Sequence, residues 1–327
     1  MTIALPVRML RVYPAAAFAC VDGANLGDPM DVADALIPGD VYALQPGAAA
    51  NRIEALAGAP MTVAARSAAG RPGAPLYLDA CATFMCPDGA VVEMLLLAEL
   101  ADDGSSLAAL HLMPLAPLQP KRGYALIAID RDVAAARLAE TDCVAFTRGT
   151  RITLATGLQI PVEDLRPGDR VLTRDNGVQP LRWVGQRTVR AQGAFAPIRI
   201  AAGALMNDGD LVVAPNHRLF VYQRTDALGA GQAEVLVKAR HLIDDDDVTV
   251  TQGGFVDYFH LLFDGHEIIY AEGIAAESLT VDTRTRPALP RDIVADTRHV
   301  PGPAIEIGRA GLPADGALAT LRAASLG

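Results

Sequence analysis

The side chains of this chain that could do chemistry together lie between residues 143 and 266. They are a thiol at Cys143, imidazoles at His217 and His266, and a carboxylate at Asp264. A thiol is intrinsically nucleophilic and partly ionised near neutral pH, and an imidazole can transfer a proton in the same range. These groups could cut a peptide bond of their own chain if a nucleophile stands one residue after the scissile carbonyl.

Such a cut proceeds in two steps and needs an acid. Attack by the nucleophile gives a thioester or an ester, which a second nucleophile then opens. The amide nitrogen is a poor leaving group, so a proton donor must protonate it, and His217 is the candidate for this role. A buried carboxylate at Asp264, together with His266, could orient or tune the site.

Three stretches carry a resemblance to a known family, in the order and spacing typical of it. The first, FTRGTRITLATGLQIPVEDLRPGDRVLTRDNG, begins at Phe146; the second, LVVAPNHRLF, contains His217; the third, YFHLLFDGHEIIYAEGIAAES, contains Asp264 and His266. Segment 143–282 therefore resembles the Hint domain, which hedgehog autoprocessing segments, inteins and bacterial intein-like proteins share. The resemblance implies an all-β horseshoe whose ends meet at the active site.

The sequence departs from this family pattern at both ends. The first residue of the domain is normally Cys or Ser, and Ala145 stands in its place. Cys143 lies two residues too early to replace it unless the turn is threaded differently. Splicing members end in His-Asn, whereas Glu277 and Ser278 occupy these positions here. Splicing by cyclisation of an asparagine is therefore excluded, and the bacterial, non-splicing branch fits best.

The resemblance predicts a single-turnover autoprotease that cuts the Val144–Ala145 bond by an acyl shift. Because a methyl group cannot attack a carbonyl, we expect little or no cleavage with Ala145 in place. Ala145 fits either a replacement introduced to trap an uncut precursor or a natural loss of the nucleophile. Two other hypotheses remain open: a catalytically dead scaffold that displays or delivers the first half of the chain, and a secreted, toxin-like protein released by cleavage.

The pattern of short apolar runs and turn residues predicts an all-β protein in two halves. Residues 1–128 read as an antiparallel β domain of unknown role, and 129–142 as a linker with helical propensity. Residues 143–282 are the Hint-like part. The Pro- and Arg-rich tail, 283–327, could be a substrate-recognition appendage or a disordered end.

Composition narrows the class of protein further. The chain has 327 residues, of which 51% are hydrophobic and 20% charged, so it is predicted to fold. Its net charge of -10 argues against nucleic acid as a partner. We expect no membrane span and no cofactor, and the only partner that the motifs indicate is the chain's own polypeptide. The early Pro6 and two arginines interrupt any apolar core of a cleavable signal peptide, which leaves the compartment open.

The remaining cysteines and histidines are predicted to be structural. Cys20, Cys81, Cys86 and Cys143 match no zinc-binding spacing, so we expect no metal site and buried, reduced thiols. A Cys81–Cys86 bridge is the alternative. Within the Hint-like part, His241 and His260 are assigned structural roles.

Overall fold

The computed structural model of the chain describes residues 7–223, 231, 233–296, 305–307, 311–313 and 316–326. The chain divides into two compact units, Met1–Glu140 and Thr141–Gly327. Both consist mainly of antiparallel strands, so the protein is all-β, as the turn spacing predicts. Within the described residues, no helix is long and apolar enough to cross a membrane.

The first unit is a nine-stranded antiparallel sheet followed by a helix. The strands lie in the order β2-β3-β9-β6-β5-β4-β1-β8-β7, and β7 also pairs with β6. They are β1 Val7–Pro14, β2 Phe18–Asp22, β3 Val41–Leu44, β4 Asn51–Leu56, β5 Met61–Val63, β6 Pro75–Met85, β7 Val91–Leu100, β8 Leu107–Pro114 and β9 Gly123–Asp130, and the helix is α1 Ala134–Asp142.

An aromatic cluster forms part of the core of this unit. Phe18 stacks on Tyr42 with their ring centroids 5.7 Å apart, and it meets Phe84 edge to face at 5.6 Å. Tyr124 completes the cluster, 5.5 Å from Phe18. Because these rings are fully or almost fully buried, they remove a large apolar area from water and stabilise the unit.

The described residues of the second unit form three sheets. Their strands are β10 Phe146–Thr147, β11 Arg151–Thr153, β12 Gln159–Pro161, β13 Arg170–Leu172, β14 Val178–Pro180, β15 Trp183–Arg190, β16 Ile198–Ile200, β17 Leu211–Val213, β18 Arg218–Tyr222, β19 Glu234–Lys238, β20 Val248–Val250, β21 Phe255–Leu262, β22 Ile268–Ala271, β23 Ile274–Glu277 and β24 Ile305–Ile307. The orders are β15-β21-β10-β17-β16-β20, β12-β11-β22-β23-β18-β19-β24 and the hairpin β13-β14. Two helices follow β23, namely α2 Arg291–Asp296 and α3 Ala317–Leu326.

The two-residue strand β10 fixes where the candidate site lies. It sits in the middle of the six-stranded sheet, where Phe146 pairs with Val213 of β17 and with Phe259 of β21. The chain then turns at Gly149, whose φ of +88° lies in the region that favours glycine. If both pairings continue by one residue, Ala145 lies between Ala214, just after β17, and His260 of β21.

Part of the tail packs onto the second unit. Strand β24 pairs in parallel with β19, and Leu318 and Leu321 of α3 are buried in the main core of the unit. Arg322 forms a 2.7 Å ion pair with Asp247. The described residues after 283 therefore contribute to the fold of this unit rather than standing apart from it.

The cysteines are buried free thiols, as predicted. The alternative bridge between Cys81 and Cys86 does not form. Cys81 lies deep in the first unit, where burial raises the pKa of its thiol to about 12. A thiol in such a setting stays protonated and unreactive at neutral pH, which fits a structural role.

Candidate functional site

The bond predicted to be scissile, between Val144 and Ala145, is buried at the entrance to β10. Val144 is 3% exposed and Ala145 2% exposed. The methyl group of Ala145 packs in an apolar cluster with Ala214 and Tyr258. The cluster shields position 145 from solvent, and a small apolar side chain such as that of cysteine matches its character.

His217 contacts the backbone immediately after this bond. It lies between β17 and β18, is fully buried, and its Nδ1 is 3.0 Å from the carbonyl oxygen of Ala145. A carbonyl only accepts, so Nδ1–H donates this hydrogen bond and Nε2 carries the lone pair. Among the described residues Nε2 has no hydrogen-bond partner. It is therefore available to accept a proton.

The environment of His217 keeps its ring neutral. Burial lowers the pKa of the imidazole to about 4, although the bond to Ala145 opposes this shift. The ring of Phe146 lies 4.5 Å away, edge to face, and contributes to the apolar surroundings. At neutral pH His217 is a base. It becomes an acid only after it has taken up a proton during a reaction.

A second histidine, His260, contacts the carbonyl of the candidate bond itself. It belongs to β21, and its Nδ1 donates a 2.8 Å hydrogen bond to the carbonyl oxygen of Val144. Burial lowers the pKa of this ring as well, with the bond to Val144 opposing. A neutral N–H donor at this distance polarises the carbonyl, and it would stabilise negative charge developing on that oxygen.

A buried ionic group in the sheet of β18 and β23 interacts electrostatically with His217. Glu277, at the end of β23, forms an ion pair with Arg218 and a 2.6 Å hydrogen bond with Nε2 of His266. Burial opposes the ionisation of Glu277, but Arg218 and His266 hold the pKa of its carboxyl below the usual value. The negative charge of Glu277 favours the protonated form of His217, and it therefore raises the pKa that burial lowers.

Two of the residues predicted from the sequence lie away from this group. The family motif predicts a buried carboxylate at Asp264. Instead its side chain is 70% exposed and pairs with Arg182 at 2.8 Å, because it lies in the polar turn after β21. Cys143 is buried two residues before Ala145, in an apolar cluster with Leu262 and Leu279. The structure thus brings His217 to the backbone of Ala145 and pairs His266 with Glu277, whereas Asp264 and Cys143 lie apart from these groups.

Comparison with known proteins identifies the segment that carries this site. The family model described as Hint domain matches residues 144–283. This segment is a Hint domain. No curated protein matches the chain.

Solved structures similar to part of the chain include three inteins. The DnaB intein from Synechocystis sp. PCC 6803 is 14% identical, with 41% of this chain and 98% of that chain covered and a TM-score of 0.28. The MchDnaB-1 intein is also 14% identical, with 41% and 99% covered and a TM-score of 0.28. The gp41-1 intein is 12% identical, with 41% and 97% covered and a TM-score of 0.26.

Two groups at the site of the Hint domain were not selected by sequence reasoning. His260 was assigned a structural role, and Glu277 was noted only as a departure from the splicing pattern. The signal for His260 lies in the strand pairing. Since Phe146 pairs with Phe259 and Thr147 with Tyr258 in an antiparallel ladder, residue 260 falls opposite residue 145.

The depressed pKa of His217 predicts a specific loss of stability in acid. In the unfolded chain this histidine titrates near 6.5, whereas in the folded Hint domain its pKa is about 4. As pH falls from 6.5 to 4 the unfolded state binds a proton that the folded state does not, so the free energy of unfolding falls by about 3 kcal/mol. Urea unfolding of the unchanged chain and of His217→Gln, at pH 7.5 and pH 4, measures this difference. The variant should lose less stability; parallel losses would show that His217 is not buried as a neutral ring.

Proposed function

We propose that this chain is built to cut itself at the Val144–Ala145 bond, and that the cut is blocked because alanine stands where the nucleophile belongs. Hint domains act on their own chain. The observation that carries the proposal is the 2.8 Å hydrogen bond from His260 to the carbonyl oxygen of Val144. This donor would stabilise negative charge on the carbonyl oxygen of Val144, the carbonyl that a nucleophile at position 145 would attack.

The first step with a thiol at position 145 can be followed atom by atom. Nε2 of His217 takes the proton of the thiol, and the sulfur attacks the carbonyl carbon of Val144. The oxyanion that forms accepts the hydrogen bond of His260. His217, now protonated, gives its proton to the nitrogen of residue 145 as the carbon–nitrogen bond breaks. The products are a thioester at Val144 and a free amine on residue 145.

The base is needed because of the surroundings of position 145. Apolar neighbours raise the pKa of a thiol, so little of it would be ionised without a proton acceptor. A neutral His217 fits this requirement. The same group then returns the proton to the leaving nitrogen, so the step needs no proton from solvent, from which Val144 and Ala145 are buried.

The second step belongs to an external nucleophile. Water or an added thiol attacks the thioester carbon and displaces the sulfur of residue 145, which releases the two fragments. The chain ends the Hint domain with Glu277 and Ser278, so no asparagine is available to cyclise there. Glu277 instead accepts the hydrogen bond of His266, and these two groups support the site electrostatically.

The position of the cut is tested with Cys143. In a chain carrying Ala145→Cys, the further change Cys143→Ala should leave the cut at the same bond, because the carbonyl held by His260 is that of Val144. Mass spectrometry of the two fragments locates the bond. If Cys143→Ala abolishes the cut while circular dichroism shows a folded chain, the nucleophile is Cys143 and the bond lies between Asp142 and Cys143.

A further inference from the structure

The residues on the amino-terminal side of the candidate bond lie in a pocket of their own. The side chains of Cys143 and Val144 are 4% and 3% exposed. They form one apolar cluster with four other buried residues, Leu262, Leu279, Val281 and Leu289, and four partly buried residues, Trp183, Ala288, Ile293 and Val294, pack against it. Both side chains therefore occupy the interior of the second unit.

Half of the pocket comes from outside the segment that matches the Hint family. The match ends at residue 283, and Ala288, Leu289, Ile293 and Val294 all follow it. These residues belong to a short turn and to the helix α2. The rest of the pocket comes from Trp183 of β15, from Leu262 of β21 and from residues 279–281, all within the match. The described part of the tail thus covers the residues that precede the candidate bond.

Polar contacts hold the backbone of the same stretch. The amide of Asn216 donates a hydrogen bond to the carbonyl oxygen of Thr141, and His260 donates to that of Val144. The stretch 141–144 is therefore fixed at both ends by the loop before His217 and by β21.

Two positively charged side chains, Lys238 and Arg240, interact electrostatically with the carboxylate of Asp142. Burial lowers the pKa of Lys238, and the carboxylates of Glu306 and Asp142 oppose this shift. Burial likewise lowers the pKa of Arg240, again opposed by Asp142. Glu306 lies in β24 and pairs with Lys238 at 2.7 Å. The tail thereby also balances the positive charge that faces Asp142.

We propose that residues 288–294, together with Trp183, Leu262 and residues 279–281, form a specificity pocket that accepts small apolar side chains at positions 143 and 144, directly before the bond that is cut. The inference rests on the proposed function for the cutting step, but the pocket itself can be tested without any cleavage. A bulky or charged residue at 144 would have to be buried among leucine, isoleucine and valine side chains. Burying an unpaired charge in such a place is strongly unfavourable.

The first experiment measures how well the pocket covers Cys143. The unchanged chain and Leu289→Ala are alkylated with iodoacetamide under native conditions, and the labelled fraction of each cysteine is read by mass spectrometry. We expect Cys143 to be protected in the unchanged chain and to react on the order of tenfold faster or more in Leu289→Ala, since exchange through local opening follows local stability. Cys81, buried in the first unit, is the internal control and should not change.

The pocket is refuted in either of two ways. The first is that Cys143 of the unchanged, folded chain is alkylated as fast as it is in urea. The second is that Cys143 is alkylated no faster in Leu289→Ala than in the unchanged chain. The milder change Leu289→Val, followed by circular dichroism, separates local opening from loss of the fold. It should expose Cys143 less than Leu289→Ala does, because it removes less of the apolar cover.

The second experiment measures specificity in a chain with Ala145→Cys. Val144→Ala should keep the rate within about threefold, whereas Val144→Asp should lower it by roughly a hundredfold or more. Val144→Leu should be slow alone and faster when combined with Leu289→Ala, a coupling that only a shared pocket produces. If Val144→Asp cuts as fast as Val144, the pocket confers no specificity and the inference is wrong, while the proposed function stands. If Ala145→Cys does not cut at all, the proposed function fails, and the labelling of Cys143 still decides whether the pocket exists.

Discussion

Ala145→Cys is expected to convert an uncut chain into one that divides at a single bond. The 34.3 kDa chain should give fragments of about 15 and 19 kDa, in proportion to their 144 and 183 residues. Added thiol should accelerate the release, because it opens the thioester at Val144. Denaturing gel electrophoresis follows the time course, and mass spectrometry identifies the ends.

The thiol dependence separates this chemistry from contaminating proteolysis. A protease would cut exposed loops and would not need a sulfur at position 145, whereas Val144 and Ala145 are buried. The matched control is Ala145→Val, which fills the same apolar cluster without supplying a nucleophile and should stay whole. Hydroxylamine should also release the fragments from the Ala145→Cys chain, since it attacks thioesters.

A folded Ala145→Cys chain that stays whole in the presence of thiol would overturn the proposed function. The domain would then have lost more than its nucleophile, and the hypothesis of a scaffold that displays the first unit would replace it. The unchanged chain favours neither outcome in advance, because alanine prevents the first step in both cases. Restoring the sulfur is what distinguishes them.

The sequence predicted the fold class because that depends on local patterns, whereas the place of the Hint domain came from the resemblance of three stretches to that family. The stretch beginning at Phe146 supplies a strand, a glycine turn and a second strand in an order that short-range chemistry determines. The hairpin at 175–177 is of the same kind: β13 and β14 flank it, and Gly177 has a φ of +63°. Patterns of this type can be read without knowing which strands pair.

The identity of the groups at the site depends on pairing over long distances, which a single sequence does not reveal. His260 and Val144 are 116 positions apart, and they meet because β10 pairs with β21 in one register. A slip of one residue would turn the side chain of His260 to the other face of the sheet. Asp264 shows the converse. Its place in a family motif suggested a role, but the turn that carries it faces solvent, where the carboxylate meets Arg182.

The same limit applies to the tail. Its prolines and arginines suggested an appendage or a disordered end, yet the described part supplies β24 and buried residues of α3. Leu318 and Leu321 of α3 do have the spacing of one helix face, but the three residues of β24 are too few to show a period. They are stabilised by a partner surface formed by strands far earlier in the chain, as for β24 on β19.

Removal of His260 is expected to have the second large effect. In the Ala145→Cys chain, His260→Ala deletes the donor to the carbonyl oxygen of Val144 and leaves the oxyanion unsupported in a buried site. Loss of one such donor typically lowers a rate by about a hundred- to a thousandfold. The rate of thiol-induced cleavage, measured on folded protein, should fall by that factor. Asp264→Ala, on the exposed turn, is the control and should stay within about threefold.

The two histidines are distinguished by what restores the rate. His217→Ala should also lower the rate by at least about a hundredfold, since it removes the group that transfers the proton. Added imidazole should recover part of the activity of His217→Ala, because a diffusible base can replace a proton carrier. It should recover little for His260→Ala, whose donor acts by its fixed position, whereas His260→Gln, which retains an N–H donor, should be faster than His260→Ala. If His260→Ala cuts as fast as the parent, the hydrogen bond to Val144 is structural, and charge on the oxyanion is stabilised by another group of the Hint domain.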